Sequence, residues 1–166
     1  MIDIPNTFGP VFAGIDPGLS GAIAVISGNH SGVVDIPTIE VKSGKKIRRV
    51  LDEWAMRKIL HELTLVDSFV IIESVNAMPG QGVTSMFRFG EVYGQLRGMM
   101  VGLGIRYETV HPLKWKRHYF KPGAGKDESL ELARKKFPGL SDRLSRKKDH
   151  NRGEALLLAE WGQSES

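Results

Sequence analysis

Apolar residues fall along this chain in two rhythms, and the change between them divides it into strands and helices. Residues 11–16, Val-Phe-Ala-Gly-Ile-Asp, form a short apolar run that stops at Asp16. Pro17-Gly18-Leu19-Ser20-Gly21 turns the chain and residues 22–27 supply a second apolar run, which is a hairpin signal. A third short strand is expected at 32–36, Gly-Val-Val-Asp-Ile. Through residues 45–65 the side chains of Ile47, Val50, Leu51, Trp54, Ile59, Leu60 and Leu63 recur at helical spacing and predict a helix. Residues 68–73, Ser-Phe-Val-Ile-Ile-Glu, read as a buried strand ending in Glu73. A helix follows over 85–103 with Gly104 placed to cap it, residues 105–110 make a fifth strand, and helices over 127–137 and 151–162 complete the chain.

Three strands in a meander followed by helix-separated strands predict an α/β chain, one five-stranded mixed sheet with helices on its faces. At 166 residues and 41% hydrophobic composition the chain suits a single domain with a real core. The absence of cysteine excludes disulfides and thiolate metal sites. Any metal must then sit on oxygen or imidazole ligands, which suits Mg²⁺ or Mn²⁺, and a reducing, cytoplasmic setting is expected. The first ten residues lack a basic segment followed by an apolar one, and no stretch reaches ~20 uninterrupted apolar residues, so neither secretion nor a membrane partner is expected.

Formal net charge is +4, but it is unevenly spread. Arg134, Lys135, Lys136, Arg143, Arg146, Lys147, Lys148 and Arg152 fall between residues 134 and 152 against Asp142 and Asp149. Such a block is either a polyanion footprint or a solvated helix face with a basic tail. The acidic residues are placed differently. Asp16 and Glu73 each end a predicted strand, and Glu154 lies near the start of the final helix, positions from which separate elements converge. In α/β sheets, sites gather at the carboxyl ends of strands, and carboxylates from different elements form the oxygen sites that Mg²⁺ prefers.

Four segments carry a resemblance. Residues 13–25 begin Ala-Gly-Ile-Asp-Pro-Gly, residues 70–94 hold Glu73 and the loop Met78-Pro79-Gly80-Gln81-Gly82, residues 111–120 are a basic stretch, and residues 146–162 join Lys147-Lys148-Asp149-His150 to an apolar helical stripe. Together these resemble the RuvC-like Holliday junction resolvases of the ribonuclease H-like superfamily, and most closely the branch of phage, bacterial and plant chloroplast resolvases. The resemblance covers residues 11–162, leaving 1–10 as an N-terminal extension and 163–166 as a tail. It implies a ribonuclease H-like fold and a homodimeric, structure-selective endonuclease that nicks four-way DNA junctions symmetrically. It also implies two Mg²⁺ ions per active site, with Mn²⁺ able to substitute, and no nucleotide cofactor.

The metal ligands implied by the resemblance are Asp16, Glu73, Asp149 and Glu154. In the bacterial resolvases the last two ligands are three residues apart. Here the spacing is five, with Asn151 at the position three before Glu154. Asp149 is favoured over His150 as the fourth ligand, and His150 is the alternative metal or phosphate contact. Gly153 stands where alanine is commoner in the family and is expected to loosen the first helical turn by up to ~1 kcal/mol. Phosphate contacts are expected from Lys147, Lys148 and Arg152 and from Lys114, Lys116 and Arg117. Trp115 either stacks on a base or packs in the core. Pro79 and its glycines would shape a junction-contacting loop, with Met86, Phe87 and Phe89 either wedging into unstacked bases or packing beneath it.

One feature stands apart from the family. Gly90, Gly94, Gly98 and Gly102 recur every fourth residue, each costing ~1 kcal/mol relative to alanine in a helix interior. Their groove must face either the sheet or a partner helix, and a dimer is also expected from the two-fold symmetry of paired nicks. Gly123-Ala124-Gly125-Lys126-Asp127 lacks the first glycine and the following hydroxyl of a phosphate loop. The rival functions are another ribonuclease H-like nuclease, acting on flap, hybrid or RNA substrates, and a branched-DNA binding protein without cleavage.

Overall fold

The computed structural model describes residues 2, 4, 9–74, 76, 80–123 and 125–165. Its central sheet has five strands in the order β3-β2-β1-β6-β7, built from β1 (Val11–Asp16), β2 (Ala22–Ser27), β3 (His30–Asp35), β6 (Ser68–Glu73) and β7 (Tyr107–Val110). The first three strands pair antiparallel, and β6 and β7 add in parallel on the other side of β1. This is the mixed sheet expected from the apolar runs.

Each central strand is apolar on both faces because helices cover both. Ala13, Ile15, Ile23, Val25, Val70 and Ile72 pack with Met56, Leu60, Leu96 and Met100 from α1 (Glu53–Leu63) and α2 (Val83–Gly102). The alternate residues Ala22, Ala24 and Ile71 face the opposite layer, where Trp115, Leu130, Ala133, Leu156, Leu157 and Trp161 come from α3 (Pro112–Tyr119), α4 (Lys126–Lys136) and α5 (His150–Ser164). Period-two alternation thus sorts each strand's side chains between two cores. Ile2, expected within an N-terminal extension, is buried in the first of them.

The predicted helix over 45–65 is corrected by the structure. Only its second half is helical; residues 38–51 form a separate hairpin of β4 (Thr38–Ser43) and β5 (Lys46–Leu51). The positions of Ile47, Val50 and Leu51 satisfy a helical stripe, but Ile39 and Val41 alternate as well and give β5 a partner. Gly44 holds φ at +62° between Ser43 and Lys46, the two-residue turn for which glycine is suited. Asp52 then caps α1, its Oδ1 accepting from the Ala55 amide at 2.9 Å.

Helix α3 is a further element that periodicity did not predict. Pro112 occupies its first turn and His111 caps it, Nδ1 accepting from the Leu113 amide at 3.2 Å. The glycine expected to loosen the first turn of α5 has another role. A Cβ on Gly153 would lie 3.2 Å from Ala133 Cβ and 3.3 Å from Leu130 Cα, so its absence lets α4 cross closely.

Candidate active site

The register of the sheet brings two carboxylates to one edge. Ile15 on β1 pairs with Ile72 on β6, so Asp16 and Glu73 are the next neighbours at the carboxyl ends of adjacent parallel strands. Ile15 and Ile72 face the α1/α2 core, which turns Asp16 and Glu73 to the α5 side. Gly14 brings the third carboxylate. A Cβ at Gly14 would collide with the backbone of Ala155 and Ala159, so α5 lies directly on β1, and the charge of Glu154, next to Ala155, is felt at Glu73.

Glu73 and Glu154 are held by neighbours from α3 and α4. Trp115 is fully buried, and its Nε1 donates to Glu73 Oε2 at 2.8 Å. Of the two alternatives for Trp115, the structure selects core packing. Lys116 Nζ sits 3.0 Å from Glu154 Oε1, and Ser129 Oγ donates to the same oxygen at 3.3 Å. Burial pushes the Glu73 carboxyl above its usual 4.5; Lys116, Trp115 and His111 pull it back, and the Glu154 charge adds to the rise. Sequence reasoning missed Ser129, His111 and the pairing role of Lys116. His111 was within reach of the strand-end rule, because Val110 pairs with Glu73 at the end of β7.

Asp149 has partners of its own. It is 2% exposed, and its carboxylate accepts from the Arg146 amide at 2.8 Å and from the Arg146 guanidinium at 2.8 and 3.1 Å. Arg152 adds a contact at 3.6 Å. Burial alone would raise this carboxyl, but the Arg146 hydrogen bonds and the Arg152 charge outweigh it and hold the group below 3.8. His150 places Nδ1 3.3 Å from Lys147 O and lines a cleft with Asp149, Asp35 and Arg49 rather than the one at Asp16. Among the described residues no three of His, Cys, Asp and Glu form a ready-made metal cluster.

An open cleft beside Asp16 is lined by Ser20, Ser85, Arg88, Phe89 and Asn151. Asn151 Nδ2 donates to the carbonyl of Ser20, tying the start of α5 to the loop after β1. Phe89 lies over Gly18 but is exposed, Phe87 is 73% exposed and Met86 is partly buried. Pro79, expected to shape the loop after β6, lies outside the described residues.

The basic block between 134 and 152 is largely occupied internally. Arg152, only 12% exposed, grips Asp35 with two bonds of 2.6 Å and donates to Arg143 O. Arg134 donates to Leu144 O and Ser145 O, Lys136 pairs with Glu160 and Lys147 with Asp127. Lys148 is exposed beside the Asp149 cleft. On α3, Lys114 lies over the Trp161 ring and Arg117 faces a separate pocket with Lys121.

Solved structures overlap this arrangement over most of its length. The Thermus thermophilus RuvC structure superposes with a TM-score of 0.55 at 15% identity, covering 93% of this chain and 96% of that one. The chain has the RuvC fold. T. thermophilus RuvC in complex with Holliday junction substrate gives a TM-score of 0.57 at 16% identity, covering 93% and 95%. A curated relative, "Holliday junction resolvase MOC1, chloroplastic" of Chlamydomonas reinhardtii, is 36% identical over 91 residues. That match takes in 54% of this chain and 10% of the length of the relative. No family model matches the chain. The RuvC fold therefore accounts for the five-stranded sheet and its helices, while the 38–51 hairpin is a separate two-stranded unit.

Proposed function

We propose that this chain is a crossover junction endonuclease, a structure-selective nuclease that resolves four-way DNA junctions by paired symmetric nicks. The observation that carries the reading is the placing of Asp16 and Glu73 at the carboxyl ends of adjacent parallel strands of a RuvC-fold sheet, with the Glu154 charge felt at Glu73. The 36% identity to a protein named as a Holliday junction resolvase supports the choice of substrate over flap, hybrid or RNA.

The donor set fits a divalent metal. The side chains are oxygen donors, Asp16 and Glu73 end adjacent strands, and Glu73 and Glu154 are close enough for their charges to interact, with the Lys116 ammonium set against Glu154. Asp16, Glu73 and Glu154 would hold Mg²⁺ or Mn²⁺, two ions serving one site. Bound there, the metal supplies a water of lowered pKa and stabilises charge on the attacking and leaving oxygens of the phosphodiester. Hydrolysis there would form a P–O bond from a water oxygen and break one bridging P–O bond, the water's proton passing to solvent and the leaving oxygen taking one up, so that a ligatable nick would remain. Trp115 fixes the rotamer of Glu73, and Ser129 fixes that of Glu154. Lys116 lowers the cost of bringing Glu73 and Glu154 together and would offer its charge to a scissile phosphate. Asp149 is re-read as the anchor of the turn before α5, clamped by Arg146 and Arg152, with His150 beside it.

Homodimerisation belongs to the same reading. Gly90, Gly94, Gly98 and Gly102 lie on the outer face of α2, and a Cβ at any of them would meet no atom within 4 Å. Val92, Leu96 and Met100 point inward instead, so the glycine groove does not serve the chain's own sheet. Val83, Phe87 and Val101 continue that exposed face, which suits a second copy of the helix.

The test is cleavage of an end-labelled immobile four-way junction with Mg²⁺, comparing wild type with Asp16→Asn and using linear duplex and flap DNA as controls. Paired, religatable nicks confined to the junction and lost in the variant are expected. Binding without cutting, or cutting of the controls instead, would sink the assignment.

A further inference from the structure

The first 41 residues contain no Lys or Arg, and the next eight positions contain five: Lys42, Lys45, Lys46, Arg48 and Arg49. All five lie on the β4–β5 hairpin, where Glu40 is the one acidic residue. The chain has 23 Lys and Arg against 19 Asp and Glu. Outside the hairpin 18 of each remain, so the hairpin holds the whole formal excess of +4.

The environment of these cations differs from that of the 134–152 block. Lys42, Lys45, Lys46 and Arg48 are exposed, and among the described residues their side chains make no ion pair. A lysine or two on a sheet edge suffices to prevent edge-to-edge pairing. Four unpaired cations on a two-stranded ribbon repel one another, and such a ribbon is only marginally stable by itself. That concentration is relieved when a polyanion lies along it.

The hairpin is braced to the catalytic edge. Leu51 at its base is buried in the core, and the Asp52 amide donates to Pro37 O at 2.9 Å, closing the base. Arg49 Nη2 donates to Ser20 Oγ at 2.8 Å, on the loop that follows Asp16, while Asn151 holds the Ser20 carbonyl. Ser20 and Asn151 line both the Asp16 cleft and the cleft that contains Arg49 and Lys148, so the two adjoin. A six-residue strand rises ~20 Å, the length of about six base pairs of duplex.

We propose that the β4–β5 hairpin is a clamp for a duplex DNA arm, with Lys42, Lys45, Lys46 and Arg48 on its phosphates and Arg49 as the strut that fixes it to the Asp16 loop. The proposal rests on the nuclease reading above and adds the surface that holds the arm.

Binding of the full chain to a fluorescent four-way junction, measured without divalent ion over a salt series, tests it. Lys45→Gln with Lys46→Gln is compared with Arg57→Gln and Lys58→Gln, an equal charge loss on the exposed face of α1. The slope of log Kobs against log salt should fall by roughly 1.8 in the hairpin variant, about 0.9 for each phosphate contact, and stay at the wild-type value in the α1 variant. Lys42→Gln with Arg48→Gln should repeat the fall, and a junction with arms too short to reach the hairpin should abolish the difference. Equal slopes in both double variants overturn the clamp while wild-type cleavage still upholds the nuclease. A wild type that neither binds nor cuts branched DNA overturns both.

Discussion

Gly14→Ala is the substitution through which packing and catalysis should fail together. The added methyl would lie 2.5 Å from Ala159 N and 3.1 Å from Leu158 C, and in contact with the Ala155 carbonyl. These are backbone atoms of α5, which cannot rotate away, so the helix must retreat from β1 by about 1 Å to restore an ordinary contact. Overpacking of this kind costs ~1–3 kcal/mol. In a chain of this length that lowers the melting temperature by roughly 2–4 °C per kcal/mol. The retreat also moves Glu154, the immediate neighbour of Ala155, away from Asp16 and Glu73. A 1 Å displacement of a positioned group can cost ~100-fold in rate. Urea denaturation followed by circular dichroism measures the first effect. Single-turnover junction cleavage, well below the melting temperature, measures the second. A variant with wild-type stability would refute the close approach of α5. A destabilised variant that cuts at the wild-type rate would refute the claim that this approach positions Glu154.

Three further outcomes are expected. Glu73 holds its proton more tightly in the folded chain than at its usual 4.5, so its contribution to stability is full below that pH and is lost as pH rises through the raised folded value. Thermal melts in chelator should show that loss, and Lys116→Met, which removes the main lowering charge, should move it to higher pH. Asp149 is shifted the other way, so its contribution is present above 3.8 and is lost as pH falls through the folded value. Asp149→Ala should cost about 1–3 kcal/mol by leaving the Arg146 amide and guanidinium without their acceptor, while keeping the rise in melting temperature produced by Mn²⁺, whereas Glu154→Gln should lose that rise. A reversed pattern would return Asp149 to the metal site. Gly94→Ala with Gly98→Ala should stabilise the isolated helix by about 1 kcal/mol each and weaken self-association, giving opposite signs in thermal melts at low concentration and in sedimentation. A dimer as tight as wild type would move the interface elsewhere.

The strands were legible because burial on both faces leaves continuous apolar runs, and the residues that stop those runs, Asp16 and Glu73, are the ones the sheet edge presents. Glu154 was legible for the same kind of reason, since the final helix begins where the charge run ends. The sequence by itself thus determined the layered α/β architecture and the placing of Asp16 and Glu73 at strand ends, because periodicity and chain punctuation are local properties. Residues 46–51 could not be resolved that way, since Ile47, Val50 and Leu51 suit either period and the choice depends on pairing with β4. Nor could the partners of charge. Whether Arg146 and Arg152 meet a phosphate or Asp149 and Asp35, and whether Lys116 meets Glu154, depends on contacts across separations of up to 117 residues. Only the tertiary structure decided these, because the free energy of a charge is set by what surrounds it in space, and position along the chain carries little of that information.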